Sequence, residues 1–274
     1  MSGLIILPPS WTSGSVVTDD SHAGADVTAS NLLQVQHSRR WVTNGMGVVG
    51  TGLYHLTFDA GIAKPIDAVS MLFANASDTC QIRITLAAST GALFSGAAFS
   101  TGYLTFVFSG DKTPFNYRHT FVRFGTVQTY RYMGIQISDP DNEYGYFEAA
   151  NLLAGVAFEP DIGADIDSGH GRTPKSTIWK MLNGENLVRP KRGDDEASWE
   201  FPKQKWADYI EWDNLNIIYG SDRPVVIKWD VNPRNLQDQQ RSIKYGYLTW
   251  PSNPFHYATA HPPTWDVKVG FLSV

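Results

Sequence analysis

The sequence predicts a mainly β protein in two parts. An N-terminal antiparallel β-sandwich is followed by a C-terminal α+β domain whose one helix packs on an antiparallel sheet or barrel. Three observations carry this. Residues 1–160 read almost wholly as short runs with the period of two that puts successive side chains on opposite faces of a sheet. Charge density then steps up, from 20 Asp, Glu, Lys and Arg in the first 160 residues to 29 in the remaining 114, a shift expected between domains. Only the segment 201–220 carries a helical period, and it lies in the second part.

The strands follow in order. Gly52-Leu-Tyr-His-Leu-Thr-Phe58 alternates and stops at Asp59-Ala-Gly61, whose composition marks a turn. Ile66–Phe73 is a second run, and Cys80–Leu86 a third with Ile82, Ile84 and Leu86 on one face. Tyr103–Phe108 and His119–Phe124 come next. Tyr132–Ser138 then sets Met133, Ile135 and Ile137 against Tyr132, Gly134, Gln136 and Ser138. Asp139-Pro-Asp-Asn-Glu143 interrupts before Tyr146–Phe158 closes the half, so the two flanking runs are expected to form a hairpin.

Residues 161–171, Asp-Ile-Gly-Ala-Asp-Ile-Asp-Ser-Gly-His-Gly, have linker composition and separate the sandwich from residues 172–274. In the second part, Trp206, Tyr209, Ile210, Asp213 and Ile217 approximate one helical face. Pro202 suits the first turn and Gly220 the C-terminal cap. Strands are expected at 198–201, 224–230, 244–249 and 265–272.

Composition narrows the function. A chain of 274 residues with 42% hydrophobic and 18% charged residues is globular, and a net charge of −5 argues against a general binder of nucleic acid or membrane surfaces. The single cysteine, Cys80, rules out an internal disulfide and a cysteine metal cluster, and its place in an alternating run suits a buried, inert thiol. Leu4-Ile-Ile-Leu7 before Pro8-Pro9 is too short, and lacks the basic flank, for a signal peptide or spanning helix. Synthesis in the cytoplasm without membrane insertion is therefore expected.

Two resemblances sharpen these expectations. Over roughly residues 10–160 the chain resembles the galactose-binding-like (discoidin-type) jelly roll. The matching stretches are Ala29-Ser-Asn-Leu-Leu33, Arg40-Trp41, Leu56-Thr-Phe58 with Asp59-Ala-Gly61, Ile66–Asn75 and the closing Gly145–Gly155. The second half is similar to a domain of tail-tip and baseplate proteins of tailed bacteriophages. That likeness rests on Gly171-Arg172, the helix ending at Tyr219-Gly220, Arg223–Asp230 with Pro233, Ile243–Leu248 and a short final strand. The pair of resemblances implies a distal-tail-like structural protein, without cofactor, in the virion's tail tip. It would form or decorate a homo-oligomeric ring of three- or six-fold symmetry against tail-tube and hub or baseplate proteins.

Each candidate site also has a plainer role. Asp139, Asp141 and Glu143 alternate as hard-oxygen ligands of Ca²⁺ would, but Tyr144 stands where an EF-hand loop needs glycine, so a solvated turn is favoured. Asp161, Asp165, Asp167 and His170 fall among mobile glycines and read as linker. The jelly-roll likeness implies sugar binding at loops, and Trp11, Arg39, Arg40, Trp41 and Asn44 are its candidates. The plainer role for Trp11 and Trp41 is core. Trp212 and the basic-then-acidic run with Arg189, Lys191, Arg192, Asp194 and Asp195 are candidates for a subunit interface, with a solvated loop as the alternative. No Gly-x-Ser-x-Gly, His-Glu-x-x-His or phosphate-binding glycine loop occurs, so a non-enzyme is expected. A tail-tip structural component is thus the leading expectation. A glycan-binding receptor-contact module is second and an envelope-polysaccharide depolymerase third.

Overall fold

The computed structural model describes residues 4–20, 23–36, 38–44, 53–105, 107–108, 117–161, 169–173, 177–180, 186–189, 194–229, 240, 242–251, 254–258 and 264–273. For 169–173, 177–180, 186–189, 194–195 and 256–258 the description is of backbone alone. The protein is mainly β, with antiparallel sheets and one α-helix. It divides into two compact units, one made of 2–159 with 225–244 and the other of 160–224 with 245–274.

The first unit holds β1 (Ile5–Leu7), β2 (Val16–Asp19), β3 (Trp41–Val42), β4 (Leu53–Ala74), β5 (Gln81–Ala87), β6 (Phe99–Ser100), β7 (Arg118–Ser138), β8 (Glu148–Ala149) and β9 (Asn151–Gly155). Its frame is the pair β4–β7, two long antiparallel strands that the sequence reading cut into four. Asp59-Ala-Gly61 does not reverse the chain. Gly61 takes φ 78°, and its amide donates to Asp59 Oδ1 at 2.7 Å, which lets β4 bulge and continue. Asp59 pairs with Tyr132 before the irregular stretch and Ala68 with Arg123 after it. Both pairs obey one register, so an excursion at 60–63 of β4 is cancelled by one at 124–127 of β7, where Gly125 has φ 78°.

This bend turns one strand pair into the spine of both layers. Leu53–Asp59 lies against Tyr132–Ser138, with β2 added beside β4 and β5 then β6 beside β7. Beyond the bend, β9 adds to Ala68–Leu72 of β4. The two halves share one core, where Tyr54, Leu56, Phe58, Ile135 and Ile137 join Val69, Met71, Leu152 and Ala154, with Trp11 and Trp41 among them. In the first half of β4 burial alternates, as a sheet with one wet face requires. From Ile66 onward both faces are buried.

The outer cover of that second half explains a boundary the sequence hid. Segment 225–244, assigned by the sequence reading to the C-terminal domain, belongs to the first unit. Its Lys228 ammonium sits 5.6 Å from the centre of the Phe121 ring. The Gln240 side-chain amide takes the His119 N–H at 2.7 Å and donates to the His119 carbonyl at 2.8 Å, standing in for a neighbouring strand.

The second unit begins with β10 (Gly169–Thr173), so the last three residues of the expected linker are strand. It continues through β11 (Thr177–Lys180), β12 (Asn186–Arg189), β13 (Asp194–Gln204) and the helix α1 (Trp206–Ile218). β14 (Val225–Lys228) belongs to the first unit, where it runs antiparallel to β1. β15 (Ile243–Thr249), β16 (Phe255–Ala258) and β17 (Thr264–Ser273) complete the chain. β17 is the centre of this unit, with β13 on one edge and β15 and β16 on the other. β10 extends the sheet beyond β13.

Pro202 lies in β13 rather than in the helix. The helix closes as expected, with the amides of Tyr219 and Gly220 both reaching the Leu215 carbonyl, at 3.0 and 3.2 Å. Its buried side is different from the expected one. Trp212 and Leu215 face inward, whereas Trp206, Ile210 and Ile217 are exposed.

Candidate functional site

A cleft of about 170 Å³ opens at one end of the sandwich, lined by Asn75, Ala76, Ser77, Asp78, Arg118, Asp141 and Glu143. Three connections bring these residues together. The first is the exit of β4, 75–79. The second is the start of β7 at Arg118. The third is the loop 139–147, whose acids opened the question of a metal site.

The 139–147 loop is anchored by its first acid. Asp139 is fully buried, and its carboxylate accepts the Ser77 N–H at 3.1 Å, the Ser77 hydroxyl, and the Asn142 amide at 2.9 Å. Asn75 continues the staple: its amide donates to the Tyr146 carbonyl, and its Oδ1 takes the Glu148 N–H, both at 2.9 Å. Asp139 is thus an internal acceptor satisfied by protein donors, and the solvated turn expected there is wrong for this residue. Nor does the loop make a hairpin. β8 pairs with β3 and β9 with β4, because the open edge of β4 beyond its bend is what the returning chain completes. Asp141 and Glu143 remain exposed at the cleft wall, with Asp141 taking the Thr79 hydroxyl at 2.9 Å.

Arg118 is the unusual member. It is 4% exposed, donates through Nη1 to the Ala76 carbonyl at 2.8 Å, and pairs through Nη2 with Asp78 at 2.7 Å. Its Nε–H has no partner among the described residues. Tyr144, 40% exposed, and the half-buried Tyr146 stand on the same loop, their ring centres 6.1 Å apart. Sequence reading passed over Arg118 and both tyrosines. The one signal available was a lone Arg-His pair opening an apolar strand.

The expected sugar residues lie elsewhere. Trp11 and Trp41 are fully buried in the core. The Trp11 indole donates to the Tyr130 carbonyl at 3.2 Å and the Trp41 indole to Asp19 Oδ2 at 2.5 Å. Neither ring can stack on a ligand, which corrects that expectation. Arg40 is committed to the fold: it donates to the Phe73 carbonyl at 3.3 Å, meets Glu148 at 3.4 Å and lies 4.0 Å above the Tyr117 ring. Burial, helped by Glu148, pushes the Tyr117 hydroxyl up despite Arg40. Arg39 and Asn44 are exposed and line no part of the cleft.

Of the expected interface residues, Trp212 is fully buried and packs on Phe201 with centroids 4.8 Å apart. Arg189 ends β12, opposite Thr177. Asp194 and Asp195 begin β13 opposite Thr173 and Arg172, so this stretch is laddered strand rather than the loop expected. Lys191 and Arg192 lie outside the described residues.

A second polar arrangement crosses the wet face of the first half-sheet. His55, Gln136 and Arg83 sit opposite one another on β4, β7 and β5. Arg83 donates to Gln136 Oε1 at 3.1 Å, which leaves the Gln136 amide to donate to His55 Nε2 at 2.9 Å. The His55 Nδ1–H then goes to Asp20 at 2.7 Å. An acid–imidazole pair is present, but its outer nitrogen meets an amide rather than a hydroxyl or thiol nucleophile. Beside it, Arg131 grips Asp59 with two bonds of 2.7 and 2.8 Å. With the Gly61 amide, it holds the Asp59 carboxyl down to about 2. Among the described residues no helix is long and apolar enough to cross a membrane, and no three His, Cys, Asp or Glu gather as a metal site.

No family model and no curated protein matches the sequence. Solved structures that match include carbohydrate-binding modules of about half this chain's length and a fucosidase from Ruminococcus gnavus, matched over 27% of its own chain. One, from Clostridium perfringens in complex with GalNAc-β-1,3-galactose, is 14% identical with a TM-score of 0.41, covering 55% of this chain and 99% of that one. A family 32 module from C. perfringens, in complex with galactose, is 15% identical at 0.38, over 57% and 99%. A chitosan-binding module from Paenibacillus sp. IK-5 is also 15% identical at 0.38, over 54% and 98%.

Proposed function

We propose that this protein is a non-catalytic contact module whose N-terminal β-sandwich holds a glycan in the cleft around Arg118. The observation that carries the reading is the cleft itself, which sets the Arg118 guanidinium beside the carboxylates of Asp78, Asp141 and Glu143. Sugar hydroxyls donate and accept at once, so they match a wall that offers a fixed donor beside strong acceptors. Tyr144 lies outside the lining but follows Glu143 on the same loop with its ring 40% exposed, where a sugar extending past the rim can lie against it. Titration of the full chain with a panel of mono- and oligosaccharides tests this. Tyr144→Ala is expected to weaken the best binder roughly tenfold with the melting temperature unchanged, about the worth of one aromatic platform. A panel in which nothing binds at millimolar concentration would end the reading.

A second reading is compatible with the first, and an observation in the other unit favours it. Helix α1 exposes Trp206 (57%), Ile210 (40%), Ile217 (73%) and Ile218 (52%). Apolar residues grouped in this way mark contact surfaces on soluble proteins. We propose that this face serves assembly. It would be a ring contact of three- or six-fold symmetry in a phage tail tip, against tail-tube and hub proteins, as the sequence resemblance implies. Light scattering is expected to show oligomers in the full chain and monomers in Ile217→Asp. A wild-type chain that stays monomeric up to about 100 µM would remove this second reading, since ring contacts bury enough surface to persist at such concentrations.

A further inference from the structure

We propose that His55 is a proton-operated switch for the polar chain across the wet face of the sandwich. A second proton on its ring and the Arg83–Gln136 bond exclude one another. The chain runs from Asp20, just past β2, through His55 of β4 and Gln136 of β7 to Arg83 of β5 and Ser100 of β6. The donor inventory of its members fixes its direction. Arginine has donors only, so the Gln136 oxygen must face Arg83, 3.1 Å from Nη1. That leaves the Gln136 amide nitrogen for His55 Nε2 at 2.9 Å, and this ring nitrogen must accept. The one ring proton therefore sits on Nδ1, which donates to Asp20 at 2.7 Å.

A second proton breaks this order. Placed on Nε2, it would meet the Gln136 N–H donors at 2.9 Å. Rotating the amide relieves His55 but turns the same donors onto Arg83 Nη1. Gln136 is 6% exposed, so solvent does not supply the missing partner. It serves one cation at a time, and protonated His55 releases Arg83 from β7. Arg83 then keeps the Ser100 hydroxyl at 3.1 Å and the Tyr103 ring at 5.9 Å, on and just beyond β6. β6 is joined to β5 by two residue pairs, so the release falls on a lightly laddered edge. The groups facing His55 accept the incoming charge. Asp20 lies against Nδ1 and also takes the His55 backbone N–H at 3.2 Å, and the Phe94 ring lies 4.8 Å from the imidazole, a contact that a positive charge strengthens. Arg83, on the far side of Gln136, is the opposing charge. Leu53 and Thr57 on β4 and Gly134 and Ser138 on β7 are uncharged, and beyond them Asp59 and Arg131 are paired with each other.

Nitrogen-15 NMR of the full chain, followed from about pH 8 to about pH 5 where histidine side chains change charge, tests this. At the upper end His55 is expected to carry its proton on Nδ1. On acidification the Gln136 side-chain amide and the Arg83 Nε–H signals should shift with the same midpoint as the His55 ring. In Gln136→Glu a carboxylate accepts from both neighbours, so the Arg83 signal should no longer follow His55. An Nε2–H tautomer at the upper end overturns the switch. So do Gln136 and Arg83 signals that stay still while His55 takes its second proton, or a ring that never takes it in this range. An Arg83 signal that follows His55 equally well in Gln136→Glu removes Gln136 as the carrier and overturns the proposal with it.

Discussion

Trp41→Ala is expected to destabilise the sandwich of the first unit by about 3–5 kcal/mol, the usual cost of emptying a buried aromatic site. Trp41 has no exposed surface, its ring lies 5.8 Å from that of Phe147, and its indole N–H ends on Asp19 at 2.5 Å. Alanine removes the packing and the bond together, and the two-residue strand β3 keeps its pairing with β8 and the backbone bonds of Val42 with Ala23 and Val27. Against a total of about 5–15 kcal/mol for an ordinary domain, such a loss shifts the melting temperature by roughly 10 °C or more. Trp41→Phe separates the two terms, since it keeps most of the ring and should cost about 1–3 kcal/mol. Denaturant unfolding of the three proteins checks this. A Trp41→Ala chain as stable as wild type would mean that the ring is not core. The contrast with Tyr144→Ala matters for function. Loss of sugar binding in a Trp41 variant reports a collapsed scaffold, while loss in a Tyr144 variant of unchanged stability reports the site.

Periodicity made the strands legible and left their connections obscure, for a physical reason. An alternating run announces that one face is buried, whichever partner supplies the burial. The runs at 53–58, 66–73, 119–124 and 132–138 are therefore all strand, yet they make two strands and not four. What joins them is a pair of compensating excursions, and Asp59-Ala-Gly61 has the composition of a turn because a bulge with a left-handed glycine needs the same residues. The step in charge at residue 160 was informative too. It could not reveal that 225–244 folds back on the first unit, because that segment attaches through a backbone ladder to β1, one bidentate amide and a cation over a ring rather than through a change in composition.

The site was less legible than the fold. Aromatic residues near an arginine are a fair sugar signal, but tryptophan is also the largest core filler, and both N-terminal tryptophans serve that role. The acids at 139–143 drew attention rightly and for the wrong purpose. One is an internal staple and two are cleft wall. Arg118 could not be found in sequence, because its significance is its place in the cleft wall, which exists only once the chain is folded.

The helix of the second unit gives the other large effect, and the two candidate faces of α1 make opposite predictions. If the face through Trp206, Ile210 and Ile217 were the packed one, Trp206→Ala would be the damaging change and Trp212→Ala a mild one. The structure has Trp212 fully buried between Phe201 of β13, at 4.8 Å, and Trp250, at 6.2 Å edge-on, with Leu215 one turn along on the same side. Trp212→Ala is therefore expected to cost about 3–5 kcal/mol, since it opens a cavity among aromatic rings that cannot collapse into it. Trp206 is 57% exposed and lies on Tyr209, with ring centres 5.1 Å apart. Its replacement should cost about 1 kcal/mol or less, near the worth of an aromatic pair. The helix spans 13 residues and its N-cap Lys205 makes no side-chain cap bond, so it depends on this packing more than on its own propensity. Loss of the Trp212 contact should accordingly appear as lost helical circular dichroism at temperatures where the Trp206 variant keeps it. A reversed order of the two variants would show that the helix presents its other side to the sheet. It would also take away the exposed apolar surface on which the assembly reading stands.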